Sequence, residues 1–253
     1  MVEFELDWKV PPPKLTLTKR DVHLWRVSLD QSKSILRQLQ ALLAVDERAR
    51  ADRFRFELDR RRFIAARGAL RTILGGYLGI APHQVQFRSS PNGKPMLATF
   101  PDRDDLQFNL SHSRELAVCA IARHQIGVDL EYMRPVPDAE EIAERYFSVS
   151  ENAVFRALPA DEKREAFFNC WTRKEAFIKA LGDGLMYPLD RFEVSLTPGE
   201  PARLIRVEGD AQAVQQWSFR QITPEPDHTA ALAVEASDWH LSCWNWERRD
   251  SES

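Results

Sequence analysis

The sequence predicts an α+β protein, and two kinds of pattern support this prediction. Two long segments with helical periodicity, about residues 59–78 and 164–181, each stop at a glycine, a common residue at helix C-caps. Short runs of alternating apolar and polar residues lie near both segments, as expected for half-buried strands. The length of 253 residues allows one large domain or two small ones.

The predicted elements follow one another with recognisable boundaries. The first long helix ends at Gly79 with Pro82 beyond it, Asn92-Gly93-Lys94-Pro95 forms a turn, and a hairpin is expected across residues 123–125. The strands are expected over residues 22–29, 85–87, 116–122, 126–131, 192–196, 204–207, 217–222 and 229–234. Helices are expected over residues 32–44, 59–78, 139–147 and 164–181. An extended leader containing three prolines precedes them, and the two halves share no visible repeat.

Composition argues against several functional classes. Thirty-five basic and 38 acidic side chains give a net charge of −3, so there is no global attraction to nucleic acid or membranes. No stretch approaches the roughly 20 apolar residues of a membrane span. Cys119, Cys170 and Cys243 lie in apolar surroundings at no metal-ligand spacing and are predicted to be reduced core residues. With no evident signal peptide, the expected location is the cytoplasm.

The second long helix carries an acid on its apolar side. On a helical wheel, Glu175 falls within the stripe formed by Phe167, Trp171 and Ile178. A buried, unpaired carboxylate is costly or takes up a proton, so Glu175 needs a cation. Lys179, one turn later, is the nearest candidate, and a purely structural Glu175–Lys179 pair is one interpretation.

Two more acids are predicted upstream on one strand. In residues 126–131 the alternation turns the apolar residues toward a core and places Gly127, Asp129 and Glu131 on the other face. Neighbouring carboxylates repel each other unless a cation lies between them, and their oxygens suit Mg²⁺ or Mn²⁺ better than zinc. With Glu175 they form a usual ligand set for a metal that also holds a phosphorylated substrate. A solvated sheet face is the alternative.

Basic residues cluster around the start of the first long helix. From Arg48 to Arg71 the chain has nine arginines against three acids, which indicates either a solvated face or a polyanion site. Arg67 differs from the others because it falls in the buried stripe with Phe63. It must therefore meet either a carboxylate, in a buried salt bridge, or a ligand phosphate.

Two motifs together resemble the double signature of the 4′-phosphopantetheinyl transferases. They are Gly127-Val-Asp129-Leu-Glu131 and, about forty residues on, Trp171-Thr-Arg-Lys174-Glu175-Ala-Phe-Ile-Lys179-Ala. The length and two further motifs resemble the surfactin-synthetase-activating (Sfp) type. These further motifs are Gly93-Lys94-Pro95 and Asn109-Leu-Ser111-His112-Ser113. The similarity runs from about residue 48 to residue 192.

This resemblance implies a pseudo-twofold pair of similar α/β subdomains with the active site in the cleft between them. We expect an extended leader over residues 1–19 and an N-terminal subdomain over residues 20–125 with the contacts to the coenzyme A nucleotide. A C-terminal subdomain over residues 126–247 would carry the metal-binding signature and the catalytic helix. The presence of both halves in one chain favours a monomer.

The resemblance also implies an activity. It is the transfer of 4′-phosphopantetheine from coenzyme A to a serine of an apo acyl or peptidyl carrier protein, with release of 3′,5′-ADP. Mg²⁺, or alternatively Mn²⁺, would be held by Asp129, Glu131 and Glu175. Glu175 would also be the general base, and Lys179 would stabilise the departing phosphate. The implied coenzyme contacts are Arg48, Arg50, Arg67, Lys94, Ser111 and His112.

Several of these residues also have an interpretation that involves no function. A turn lysine such as Lys94 is normally exposed, and His112 is interpretable as a loop histidine capped by its serines. Ser111 and His112 do not form a hydrolase dyad, because adjacent residues rarely reach each other productively and no Gly-x-Ser-x-Gly elbow is present. The three acids Asp129, Glu131 and Glu175, together with Lys179, argue against a non-catalytic relative that only binds a carrier protein or coenzyme A. The net charge and the lack of interleaved aromatic residues argue against a nucleic-acid binder.

Overall fold

The protein is described by a computed structural model over residues 6–90, 92–98, 105–182 and 187–247. Helices and strands alternate in blocks, so the predicted α+β class is confirmed. The helices are α1 (Lys33–Leu42), α2 (Val45–Ala51), α3 (Glu57–Leu78), α4 (Ala139–Tyr146), α5 (Val149–Ala157), α6 (Lys163–Leu181) and α7 (Ala213–Gln216). The strands are β1 (Trp8–Lys9), β2 (Asp21–Ser28), β3 (Phe87–Ser89), β4 (Pro95–Leu97), β5 (Gln107–Ser113), β6 (Leu116–Ala122), β7 (Ile126–Tyr132), β8 (Phe192–Val194), β9 (Leu204–Val207), β10 (Ser218–Ile222), β11 (His228–Val234) and β12 (His240–Asn245).

Both long helices end where the sequence predicts. Gly79 follows α3 with a φ of 70°, and Gly182 follows α6 with a φ of 82°. Both angles lie in the left-handed region that glycine adopts without steric cost. The sequence after α6 also predicts a Gly-x-Gly turn, whose second glycine, Gly184, lies outside the described residues.

A five-stranded sheet in the order β1-β12-β2-β6-β5 forms one layer of the molecule. Buried apolar side chains from α1 and α3 share a core with one face of this sheet, including Trp25 and Val27 of β2. Leu15 and Leu17 of the expected leader also pack against this core. Strand β12, which the sequence analysis did not predict and which falls in the C-terminal subdomain by residue number, pairs with β2 of the first half.

A three-stranded sheet in the order β10-β11-β7 carries helix α6 on one face. Its other face contributes Ile126, Val128 and Leu130 to a core shared with β2 and β6 of the larger sheet. The alternation predicted for residues 126–131 is therefore confirmed, and the face that holds the acids lies toward α6. Cys119, Cys170 and Cys243 are buried and free, as predicted.

The predicted hairpin between β6 and β7 is wrong, because β6 pairs with β2 and β5 whereas β7 pairs with β11. Three backbone amides of β7 are bound by side chains of alternate residues on β5. These bonds run from Val128 N to Asn109 Oδ1 (2.9 Å), from Leu130 N to Ser111 Oγ (3.1 Å) and from Tyr132 N to Ser113 Oγ (3.0 Å). Side chains thus replace a backbone ladder at this edge, so the chain changes sheets. Because β5 is a strand, the interpretation of His112 as a loop residue is also wrong.

Several short elements were misplaced or missed. Helices α2 and α5 are absent from the sequence expectations, and the strand expected over residues 85–87 begins at Phe87, after a 3₁₀ turn at Pro82–Gln84. Helix α5 carries a signal that would have revealed it. Ser148 and Glu151 form a capping box in which each side chain binds the other residue's backbone amide.

A buried ion pair fixes α6 within the second half. The side chain of Lys174 is fully buried, and its Nζ lies 2.8 Å from Oε2 of Glu151. The same ammonium donates to the carbonyl oxygens of Leu189 at 2.7 Å and Phe192 at 2.6 Å. Lys174 of the signature motif is therefore a structural residue, although it precedes Glu175 directly.

We expect Lys174→Met to lower the free energy of unfolding by about 3–5 kcal/mol, because Glu151 is left as a buried charge without its cation. Lys163→Met, at the start of the same helix α6, is the control, since it breaks an exposed ion pair with Glu140 of α4 and should change stability little. Urea unfolding of the two variants gives the comparison. Equal midpoints for both variants would contradict this account of Lys174.

Within the described ranges, no helix combines the length and the apolar character needed to cross a membrane.

Candidate active site

The site depends on a close approach between helix α6 and strand β7, which meet at Gly127. A Cβ atom built on Gly127 would lie 2.0 Å from the carbonyl oxygen of Ala176 and 2.5 Å from the amide nitrogen of Ala180. The backbone of the helix therefore rests directly on the strand, with no room for a side chain. This contact brings Glu175 and Lys179 of α6 toward the acids of β7.

Lys179 contacts Asp129 rather than the glutamate on its own helix. Its Nζ donates to Asp129 Oδ1 at 2.5 Å and to Ser111 Oγ at 3.0 Å. Ser111 in turn donates to Asp129 Oδ1 at 3.1 Å. Among the described residues, Lys179 therefore forms its ion pair with Asp129 of β7. The alternative of a purely structural Glu175–Lys179 pair is wrong.

The second acid of β7 is held by the neighbouring serine. Ser113 donates to Glu131 Oε2 at 3.2 Å while accepting the amide of Tyr132. Ser111 and Ser113 therefore act alike, because each accepts an amide of β7 and donates to a carboxylate of the same strand. Ser113 and Asn109 were not predicted as site residues. Their period-two spacing with Ser111 was the signal for a shared strand face.

Two of the three acids, Glu131 and Glu175, have raised proton affinities. Burial, and next the charge of Asp129, raise the pKa of Glu175 to about 7. The same two causes, in the same order, raise the pKa of Glu131. The Oδ2 atom of Asp129 is buried and has no hydrogen-bond partner among the residues that the structure describes. Together these carboxylates form a site with an excess of negative charge and one unsatisfied oxygen.

This donor set fits a hard divalent cation in its chemistry. A cation would satisfy the unpaired oxygen of Asp129 and relieve the repulsion that raises the pKa of Glu131 and Glu175. In the part of the chain that is described, no three His, Cys, Asp or Glu side chains stand together as a ready metal site. The lysine contact of Asp129 is one physical reason, since an ammonium already holds the other oxygen of this carboxylate.

Arg67 forms a buried salt bridge, the alternative that the sequence left open. Its Nε donates to Oε1 of Glu47 on α2, and its guanidinium lies 4.0 Å from the ring centroid of Phe87. Arg71, one turn later, binds the other oxygen of Glu47 at 2.6 Å. Glu47 and Arg71 were not predicted. The role of Arg67 as a coenzyme contact stays a prediction.

Lys94 reaches across to the signature helix. Its Nζ donates to the carbonyl oxygen of Ala180 at 2.9 Å, in the last turn of α6, where carbonyl groups lack helical partners. Burial lowers the pKa of Lys94 to about 8. Lys94 is therefore half-buried and not an exposed turn lysine. It contacts the C-terminal end of α6, the helix that carries Glu175.

His112 has several cations near it. His112 is exposed, and its pKa is lowered first by desolvation from the surrounding protein and then by the charges of Lys179, Arg50 and Arg62. These cations come from α6, α2 and α3, so the fold gathers positive charge around one imidazole. Such a cluster suits a phosphate group. Arg62 was not predicted, and Arg48 is half-buried on α2.

We expect the pKa of His112 to lie below its ordinary value of 6.5 in the free protein and to rise when coenzyme A binds. A phosphate stabilises the imidazolium form, so the bound-state pKa must exceed the free-state pKa, and His112 takes up protons on binding. NMR titration of the imidazole measures both values. 3′-Dephospho-coenzyme A is the matched control and should raise the pKa less. Equal shifts with both ligands would contradict a contact between His112 and the 3′-phosphate.

Two protein-family models and several known proteins match this chain in sequence. A family model described as the 4′-phosphopantetheinyl transferase superfamily matches residues 125–235, and one described as 4′-phosphopantetheinyl transferase, N-terminal, matches residues 24–124. The 4′-phosphopantetheinyl transferase HetI of Nostoc sp. is 47% identical over 94% of this chain and 98% of its own length. Psf-1 of Bacillus pumilus is 35% identical over 72% and 76%, and Sfp of Bacillus subtilis is 32% identical over 63% and 69%.

The chain therefore belongs to the 4′-phosphopantetheinyl transferase family, as its two motifs predict, and it is an enzyme of that class. Enzymes of this family transfer the 4′-phosphopantetheine arm of coenzyme A to carrier proteins.

Proposed function

We propose that this enzyme carries out a Mg²⁺-dependent transfer of 4′-phosphopantetheine to a serine of an apo acyl or peptidyl carrier protein, with Mn²⁺ able to replace Mg²⁺. Asp129, Glu131 and Glu175 hold the metal in this proposal. The observation that carries it is the buried Oδ2 of Asp129, which has no hydrogen-bond partner among the described residues and lies beside Glu131 and Glu175, whose pKa values are raised by burial and next by the charge of Asp129. When bound, the ion supplies charge neutralisation at the pyrophosphate as the bond between its phosphates breaks.

Glu175 is the proposed general base. Burial, and next the charge of Asp129, raise its pKa to about 7 in the metal-free protein. A bound cation would lower this pKa again, so Glu175 would be the unprotonated carboxylate that base catalysis needs at neutral pH. It takes the proton of the incoming serine hydroxyl, directly or through one water molecule. Lys179 donates hydrogen bonds to the phosphate that leaves with 3′,5′-ADP, where negative charge develops.

The nucleotide end of the coenzyme is proposed to lie against the cations around His112. Arg50 approaches His112 closely enough to lower its pKa, which supports a role at the 3′-phosphate. Ser111 and Lys94 lie close to Asp129 and to the end of α6, respectively. The remaining proposed coenzyme contacts are Arg48 and Arg67.

The division of the chain into subdomains is also a proposal. The meeting point of the two family matches, between residues 124 and 125, supports a boundary near residue 125. The proposed enzyme is a cytoplasmic monomer that acts without nucleic acid or membrane.

The test is intact mass spectrometry of a panel of apo carrier proteins incubated with the enzyme and coenzyme A. We expect each accepted carrier to gain the mass of one phosphopantetheine with Mg²⁺, and none to gain it with EDTA. Glu175→Gln keeps the size of the side chain and removes its charge, so it should stop the reaction. Transfer that persists in EDTA would contradict the metal assignment. A protein that binds coenzyme A without modifying any carrier would be a non-catalytic relative.

A further inference from the structure

Asp129 has a protein cation at the position where the proposed function requires a metal ion. The ammonium of Lys179 lies 2.5 Å from one oxygen of this carboxylate, whose side chain is only 6% exposed. Ser111 reinforces the contact, since it accepts from Lys179 and donates to Asp129. The other oxygen of Asp129 remains without a partner.

A divalent ion bound to Asp129 would destabilise the ion pair between Asp129 and Lys179. Removing the cation that contacts a buried carboxylate is strongly unfavourable, so Lys179 stabilises Asp129 in the metal-free protein. A divalent ion on Asp129 takes over this neutralisation and repels the ammonium. Lys179 is 28% exposed on a flexible four-carbon stem, so its ammonium is able to move away toward solvent without displacing the helix.

We propose that Lys179 is the resident counter-ion of Asp129 and exchanges with the metal, leaving the carboxylate when the divalent ion binds. This inference rests on the metal assignment of the proposed function and deepens it. The freed ammonium becomes available to a phosphate of the coenzyme, so metal entry and phosphate binding are coupled through one side chain. If Lys179 only stabilised the departing phosphate, its removal would leave metal affinity unchanged, whereas its contact with Asp129 predicts that removal raises this affinity.

The experiment is a Mn²⁺ titration of the free protein, without coenzyme, followed by electron paramagnetic resonance. Lys179→Met removes the competing cation and should bind Mn²⁺ at least about tenfold more tightly than the wild type. Lys179→Gln is a second variant that keeps a donor for Ser111 and should behave in the same way. Arg134→Met is the charge-matched control, since Arg134 is exposed three residues beyond Glu131, and it should change the affinity less than about threefold.

Thermal unfolding supplies an independent measurement on the same proteins. In EDTA, Lys179→Met should unfold at a lower temperature than the wild type, and Mn²⁺ should raise its midpoint more than that of the wild type. Equal Mn²⁺ affinity in the wild type and both Lys179 variants would overturn the exchange while leaving the metal site intact. A gain in Arg134→Met as large as in Lys179→Met would reduce the effect to general electrostatics and also overturn it. Absence of Mn²⁺ binding in every protein, with transfer that persists in EDTA, would instead overturn the metal assignment itself.

Discussion

Asp129→Ala is expected to lower the rate of carrier-protein modification by about 10²–10⁴-fold while the protein stays folded. The substitution removes a proposed metal ligand, and it also frees Lys179 from its 2.5 Å contact. Single-turnover rates at saturating coenzyme A, measured over a series of Mg²⁺ concentrations, give the size of the effect. We expect that no Mg²⁺ concentration restores the wild-type rate.

The matched control for this prediction is Asp238→Ala. Asp238 is an exposed acid between β11 and β12 that pairs with Arg20 at 2.6 Å. Its loss should leave the rate and the Mg²⁺ dependence unchanged. A folded Asp129→Ala enzyme that turns over like Asp238→Ala would disprove the assignment of Asp129 to the metal.

Gly127→Ala is expected to lower the free energy of unfolding by roughly 3 kcal/mol or more, since it overpacks a rigid contact. The added methyl group would meet the backbone of α6 at Ala176 and Ala180, and backbone atoms cannot rotate out of the way. The helix must move outward, so Glu175 and Lys179 withdraw from the strand. Urea unfolding together with the transfer rate measures both consequences.

Gly76→Ala in helix α3 is the matched control. Gly76 is exposed, and its added Cβ would meet only the end of the Leu15 side chain, at 3.1 Å. Alanine stabilises a helix relative to glycine by up to about 1 kcal/mol, so this variant should be as stable as the wild type or more so. If Gly127→Ala behaves like Gly76→Ala in both measurements, α6 and β7 do not approach as closely as described.

Local patterns were sufficient for the parts of the fold that depend on periodicity. The ends of α3 and α6 follow from Gly79 and Gly182, because a left-handed residue ends a helix wherever it occurs. The alternation in residues 126–131 was sufficient to separate the core face of β7 from the acidic face. Strand pairing was not predictable in the same way. Consecutive strands resemble a hairpin in sequence whether or not they pair, and here the side chains of β5 bind the amides that a hairpin would use.

For the charged residues, too, the sequence predicted one part of the site and not the other. Helical wheels place Arg67 and Glu175 on the apolar sides of their helices, where both are half-buried in the structure and each needs a partner of opposite charge. The partners themselves come from distant segments. Arg67 meets Glu47 of a helix that the sequence did not reveal, and Lys179 meets an acid fifty residues earlier in the chain rather than the one on its own helix.

The sequence by itself determined the family of this protein, its α+β class and the residues whose charges require compensation. It did so because motif, periodicity and burial are properties of a single segment. Only the tertiary structure decided which charge each of them meets, because that depends on how closely two distant segments pack. At Gly127 the absence of a side chain lets α6 lie on β7, and this contact gives Asp129 the cation of Lys179 while leaving its second oxygen without a partner.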